Sequence, residues 1–221
     1  MIPIAISVTR MHDVCLARAD WPLSATMLNQ RPAGSEQPLW DWIAANHRFN
    51  SQLWAEEDLA RRTTVALAEI AANKRAIDGF NQARNDATER VDELLLIALD
   101  LVDVASARTD APVSTVAPGA RLNSETAGSI IIDRMSIMAL KVHAMRQQTE
   151  RRDVDAAHVG ASRVKLGRLQ QQRRDLGDCL DALLADCQAG RACFKVYRQF
   201  KMYNDARFNP VLVAEARGPA A

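Results

Sequence analysis

The sequence predicts an all-α protein, an antiparallel bundle of about five to six helices with long central members. Three observations carry this. Pro and Gly cluster at 22–38, 111–119 and 209–219, whereas 39–110 has no Pro and only Gly79, and 120–209 has no Pro. The Pro-free runs are rich in Ala, Leu, Arg, Glu and Gln, which cost little in a helix. No stretch alternates β-branched and polar residues as a half-buried strand does.

The elements follow in order. A first helix lies within 4–18, before the Pro-bearing stretch "PLSATMLNQRPAGSEQP". A second runs over about 39–61, entered through Pro38, and Thr63-Thr64 marks the turn after it. The third covers about 65–104, and a polar loop with two prolines fills 104–123. The fourth spans about 125–152. Gly160 suggests a break, the fifth helix fills about 162–188, and Gly190 suits its C-terminal end. A short sixth segment, "ACFKVYRQFKMYND", ends before Pro210. Long helices on short links suggest antiparallel neighbours. The expected organisation is an N-terminal helix and loop over 1–38, a bundle domain over 39–209 and a flexible tail over 210–221.

Composition narrows the function. The 28 Lys and Arg balance 27 Asp and Glu, and aromatics make up only 5%, which argues against nucleic acid as a partner. Cys15, Cys179, Cys187 and Cys193 form no C-x-x-C pair, so they read as reduced thiols. The start lacks the basic region and cleavage site of a signal peptide, and no apolar run is long enough to span a membrane. A cytoplasmic location is the expectation.

The third helix carries the most unusual pattern. In "NKRAIDGFNQARNDATERVDE" (73–93), Ala76, Phe80, Ala83, Ala87 and Val91 share one face. Asp78, Asn81, Asn85, Glu89 and Asp92 line the opposite one, with Lys74 and Gln82. Asn costs roughly 0.6 kcal/mol relative to Ala in a helix interior. Two of them aligned with three carboxylates suggest a face that meets another helix or a ligand, rather than water alone.

The fourth helix offers a partner. "SIIIDRMSIMALKVHAM" (129–145) is apolar nearly all round, the mark of a central helix, yet it holds Asp133, Arg134, Ser136 and Lys141. Buried charges need partners. The expectation is that Asp133, Arg134 and Lys141 are buried against Asp78, Asn81, Asn85, Glu89 and Asp92. That network is either purely structural or a pocket for an anionic ligand, since Arg and Lys beside Asn suit phosphate or carboxylate.

Other signals are thinner. Glu57 and Arg61 form an i,i+4 pair flanked by Glu56 and Asp58, and His47 and Asn50 sit one turn apart. Glu89-x-x-Asp92 matches half of the E-x-x-E…E-x-x-D set with which helical nucleotide pyrophosphohydrolases hold magnesium, but the other half is missing. No phosphate-loop, dinucleotide or nucleophile-elbow motif occurs. The residues name no catalytic group, cofactor or metal.

Four segments, "LWAEEDLAR" (53–61), "NKRAIDGFNQARND" (73–86), "LNSETAGSIIIDRMSIMALKVHAM" (122–145) and "YRQFKMYNDARFNP" (197–210), together resemble the bacterial domain-of-unknown-function family 4254. The resemblance covers about 45–212, with Ala127 where members typically carry Pro. It adds Asn123, Ser124 and Glu125 before the fourth helix, and Lys201, Tyr203, Asn204, Asp205 and Asn209 near the end, where an Asx-type docking strap is expected. Genes of this family often sit beside lipopolysaccharide-type glycosyltransferase genes. The resemblance thus implies an accessory protein or small enzyme of cell-envelope glycan assembly, binding a sugar phosphate or nucleotide sugar, with a glycosyltransferase as partner. The alternatives are a magnesium-dependent phosphohydrolase using Glu89 and Asp92, and a non-enzymatic interaction module.

Overall fold

The computed structural model describes residues 2–22, 37–123, 128–199 and 206–217. Among them the helices are α1 (Ala5–Leu16), α2 (Gln37–Ala60), α3 (Leu67–Ala98), α4 (Gly128–Glu150), α5 (Ala156–Gln188) and α6 (Pro210–Arg217). The strands are β1 (Arg121–Leu122) and β2 (Ala192–Cys193), paired in parallel. The all-α bundle stands. α2 packs chiefly on α3 and α4 chiefly on α5, while α4 also touches α1, α2 and α3. It is the central helix that its all-round apolar sequence indicates.

Packing explains the layout. Leu39, Ile43, Val91, Leu95, Ile132, Met135, Leu180 and Leu184 are buried in one core. Fully burying such a side chain stabilises by roughly 1.5–3 kcal/mol. Gly128 starts α4 where a Cβ would lie 2.7 Å from Leu95 Cδ1 and 3.5 Å from Phe194, so a larger residue there would have to push the Leu95 side chain aside. The α2–α3 hairpin is tied near its tip through Asn73, which donates to Glu56 Oε2 at 2.7 Å and accepts from Arg62 Nη2 at 3.2 Å.

Three expectations are corrected. The break at Gly160 is absent: α5 begins earlier, because the Asp155 side chain accepts from His158 N at 2.7 Å and caps it. Gly160 lies within the helix, where an added Cβ would meet nothing. Gly190 does follow the helix end, with φ +69. The expected sixth segment is not helical at its start: 192–193 form β2 and 194–199 carry no regular element. Phe194 and Val196 turn inward while Lys195 and Tyr197 face out, the period of a strand. The stretch expected as a loose tail contains α6, which Asn209 caps by accepting from Val211 N at 3.0 Å and Leu212 N at 3.4 Å. Ser124, Glu125, Ala127, Lys201, Tyr203, Asn204 and Asp205 lie outside the described residues.

Asp92 fastens α3 to the start of α4. Its carboxylate accepts from Ser129 N at 2.9 Å and from Ser129 Oγ at 2.6 Å. A helix N-terminus has backbone N–H groups without intrahelical acceptors, so the carboxylate acts as a cap supplied by a neighbouring helix. Asp92→Ala is expected to cost about 1–2 kcal/mol, the usual loss of a cap, and Asp92→Asn clearly less, since the amide keeps an acceptor for Ser129 N. Urea unfolding of the two variants checks this; equal losses would mean that the cap contributes nothing.

Candidate functional site

The polar face of α3 does not form one site. Its residues are shared out along the helix according to what packs beside each. Asp78 is exposed and pairs with Lys74 one turn before it. Asn81 is half-buried in a groove described below. The Asn85 side-chain oxygen accepts from Arg84 Nη2 at 3.2 Å. Glu89 accepts from Arg198 Nη1 at 3.2 Å and from Gln199 N at 2.9 Å. Asp92 is buried at Ser129. Both carboxylates of the half-motif Glu89-x-x-Asp92 thus have protein partners. Among the described residues no group of three or more His, Cys, Asp or Glu is arranged to hold a metal ion.

The expected network between α3 and α4 is likewise corrected. Arg134 and Lys141 are exposed, and they flank a different groove with Gln172 and Asp175 of α5. Asp133 is half-buried, but its partners are on α2: Oδ1 accepts from Asn46 Nδ2 and Asn50 Nδ2, each at 2.8 Å. The reason is geometric. Seven residues apart, Arg134 and Lys141 share a face of α4, and that face looks toward α5. Asp133, about 100° away, turns to α2 instead.

A polar layer buried between α1, α2 and α4 replaces that network. Asn50 Nδ2 lies within reach of three acceptors: Asp133 Oδ1, Ser136 Oγ at 3.1 Å and Asn46 Oδ1 at 3.3 Å. Ser136 Oγ is 2.8 Å from His47 Nδ1. Ser51 Oγ donates to the His47 carbonyl at 2.8 Å and accepts from Trp21 Nε1 at 2.9 Å. The Trp21 ring stacks on His47 at 5.3 Å between centroids, and the His12 ring lies on it at 4.3 Å. Burial holds His47 down at about 3, opposed by the His12 backbone, with Arg173 adding to the depression. Burial also lowers His12 well below its usual value, helped by His47 and Arg173. A serine bonded to a neutral imidazole is the geometry of an activated nucleophile. Ser136 is 0% exposed, however, so no substrate reaches it, and the layer reads as a specific internal network. Its trace in the sequence is the α2 stripe Leu39, Ile43, Asn46, Asn50, Leu53, which continues the apolar period with amides.

The open feature beside this layer is a groove of ≈ 310 Å³ between the second half of α2, α3 and α4. Asn50 belongs to both the layer and the groove. Trp54, Glu57, Asp58 and Arg61 line it from α2, Asn81 and Arg84 from α3, and Leu53, Ile137 and Leu140 supply apolar wall. Arg61 is neutralised on the spot, donating to Glu57 Oε2 at 3.3 Å and Asp58 Oδ1 at 3.2 Å. Arg84 differs. Its Nε is buried without an acceptor, and its Nη2 is held by Asn85.

Fold and groove together define a helical protein with a small amphipathic cleft, walled by residues 50–61 of α2, 81–84 of α3 and 137–140 of α4. The chain belongs to the family described as protein of unknown function (DUF4254), whose model matches residues 40–196. The match takes in every residue of the groove and leaves out α1 and α6. No curated protein and no solved structure matches the chain. No helix of the described residues is long and apolar enough to cross a membrane.

Proposed function

We propose that the groove between α2, α3 and α4 binds a small anionic ligand of the sugar-phosphate or nucleotide-sugar class. The observation that carries this reading is Arg84, a cation lining the open cleft with no carboxylate partner among the described residues. An oxyanion in the groove would give this guanidinium a charge-assisted bond that no protein carboxylate supplies. Asn81 offers both donors and an acceptor to hydroxyl groups, whereas the Asn50 amide nitrogen is already committed to the buried layer. Asn85 positions Arg84 and does not itself line the groove. The family resemblance supports a place in cell-envelope glycan assembly, as an accessory protein or small enzyme with a glycosyltransferase as partner.

A thermal-shift screen of sugar phosphates and nucleotide sugars tests the reading. A ligand at a hundredfold excess over its dissociation constant stabilises the fold by about 2.7 kcal/mol. Arg84→Gln is expected to abolish that shift, whereas Arg134→Gln and Lys141→Gln leave it intact. A shift that survives Arg84→Gln and disappears with Lys141→Gln would move the site to the groove between α4 and α5.

A further inference from the structure

The charge and size of the groove specify its ligand further, given that the groove is the binding site. We infer that it takes a ring of monosaccharide size bearing one anionic group and free hydroxyls, and that it disfavours diphosphates. Count the charges at the cleft. Arg61 and Arg84 are the cations, and Glu57 and Asp58 are the carboxylates. Both carboxylates already contact Arg61, with no carboxylate bonded to Arg84 among the described residues. One uncommitted guanidinium suits one phosphate or carboxylate. A second phosphate meets Glu57 and Asp58, and like charges at short range disfavour it.

Size points the same way. A volume of ≈ 310 Å³ stands at the lower end of the range for ligand sites, roughly 300–1,000 Å³. A pyranose phosphate is of a size to sit within it, whereas most of a nucleoside diphosphate sugar would extend beyond its walls. The lining also matches a sugar ring. Trp54 is 37% exposed and offers a flat apolar face for the C–H side of the ring, while Leu53, Ile137 and Leu140 extend that wall. Asn81 and the two carboxylates then receive the hydroxyls. The carboxylates therefore act as specificity-determining residues, accepting hydroxyl protons and repelling a second phosphate.

Isothermal titration of the full chain with glucose 1-phosphate, glucose, inorganic phosphate and UDP-glucose tests this. Glucose 1-phosphate is expected to bind at least tenfold more tightly than each of the other three. In the Glu57→Gln/Asp58→Asn variant, whose positions are exposed, the deficit of UDP-glucose is expected to shrink at least threefold. Trp54→Ala is expected to weaken glucose 1-phosphate at least tenfold and to leave inorganic phosphate unchanged. UDP-glucose binding as tightly as glucose 1-phosphate, in an Arg84-dependent way, overturns this inference and leaves the sugar-ligand reading standing. Inorganic phosphate binding equally well reduces the groove to a plain anion site and overturns it too. Silence from all four ligands removes both readings.

Discussion

Lowering the pH from 7 to 5 is expected to expose a latent acid sensitivity centred on two buried histidines, and His12→Phe is expected to blunt it. His47 and His12 are fully buried, and His12 Nδ1 and Nε2 have no hydrogen-bond partner among the described residues. Arg173, from α5, adds its charge to both and so disfavours the protonated form of each ring. In the unfolded chain each ring takes up a proton near 6.5. In the fold His47 resists protonation down to about 3. Its contribution is therefore complete above pH 6.5 and is lost as the pH falls toward 3. Between pH 7 and 5 that loss is about 2 kcal/mol for His47 alone, and His12 adds to it in the same direction.

Asp92 works the other way. Burial raises its carboxyl to about 7, against the two hydrogen bonds from Ser129, with Glu89 and Glu93 adding to the rise. The folded state thus takes this proton before the unfolded one does, and acidification from pH 7 to 5 returns about 2 kcal/mol. The two effects separate by mutation. Asp92→Asn removes the compensating term and should steepen the acid loss. His12→Phe removes a ring whose nitrogens have no partners, so it keeps or raises stability at pH 7 and flattens the acid limb. Urea unfolding at pH 7, 6 and 5 on the three proteins measures this. A constant stability difference between His12→Phe and the parent across that range would refute the assignment.

What the sequence reveals, and what it hides, follows from how each signal is written. Periodicity is local, so α1, the four long helices, the central place of α4 and the turn at Thr63-Thr64 are all legible. The partners of a polar side chain are not local. Asp133 declares itself as a residue needing partners, yet α2 and α3 both offer amides at suitable spacing, and only the packing decides for Asn46 and Asn50. Arg134 and Lys141 share a face in sequence, but which neighbour that face meets is a tertiary fact. Six of the expected site residues end in structural roles or at the surface: Asp78, Glu89, Asp92, Asp133, Arg134 and Lys141. Asn81 reaches the groove, and Arg84, between Asn81 and Asn85, is the one that the amides conceal. Two signals were readable and carry their own lesson. The alternation from Phe194 to Tyr197 is strand-like within an otherwise helical chain, and Asn209-Pro210 is the start of a capped helix.

Arg198→Ala is expected to destabilise the protein more than any change in the groove, by about 3–5 kcal/mol. This residue fastens the extended stretch after β2 to both α3 and the loop before β1. Its Nη1 donates to Glu89 at 3.2 Å and also bonds Glu93. Its Nη2 donates to the Ala107 carbonyl at 2.8 Å and the Thr109 carbonyl at 3.1 Å, and Nε donates to Thr109 at 3.2 Å. Glu93 is only 5% exposed and has Arg90 as its other cation. Truncation at 198 leaves a buried carboxylate with half its compensation and two carbonyls without donors. The same side chain holds the strand stretch in which Phe194, 1% exposed, plugs the space beside Leu95 and Gly128. Loss of Arg198 therefore loosens a hydrophobic anchor as well as an ion network. Arg198→Lys keeps the charge but cannot offer a planar fork to two carboxylates and two carbonyls at once, so it should recover less than half of the loss. Adding Glu93→Gln to Arg198→Ala removes the buried charge and should recover part of it. Urea unfolding of the three variants decides between the two contributions. Should Arg198→Ala cost under 1 kcal/mol, as exposed ion pairs do, the network is surface decoration and Phe194 alone holds the strap.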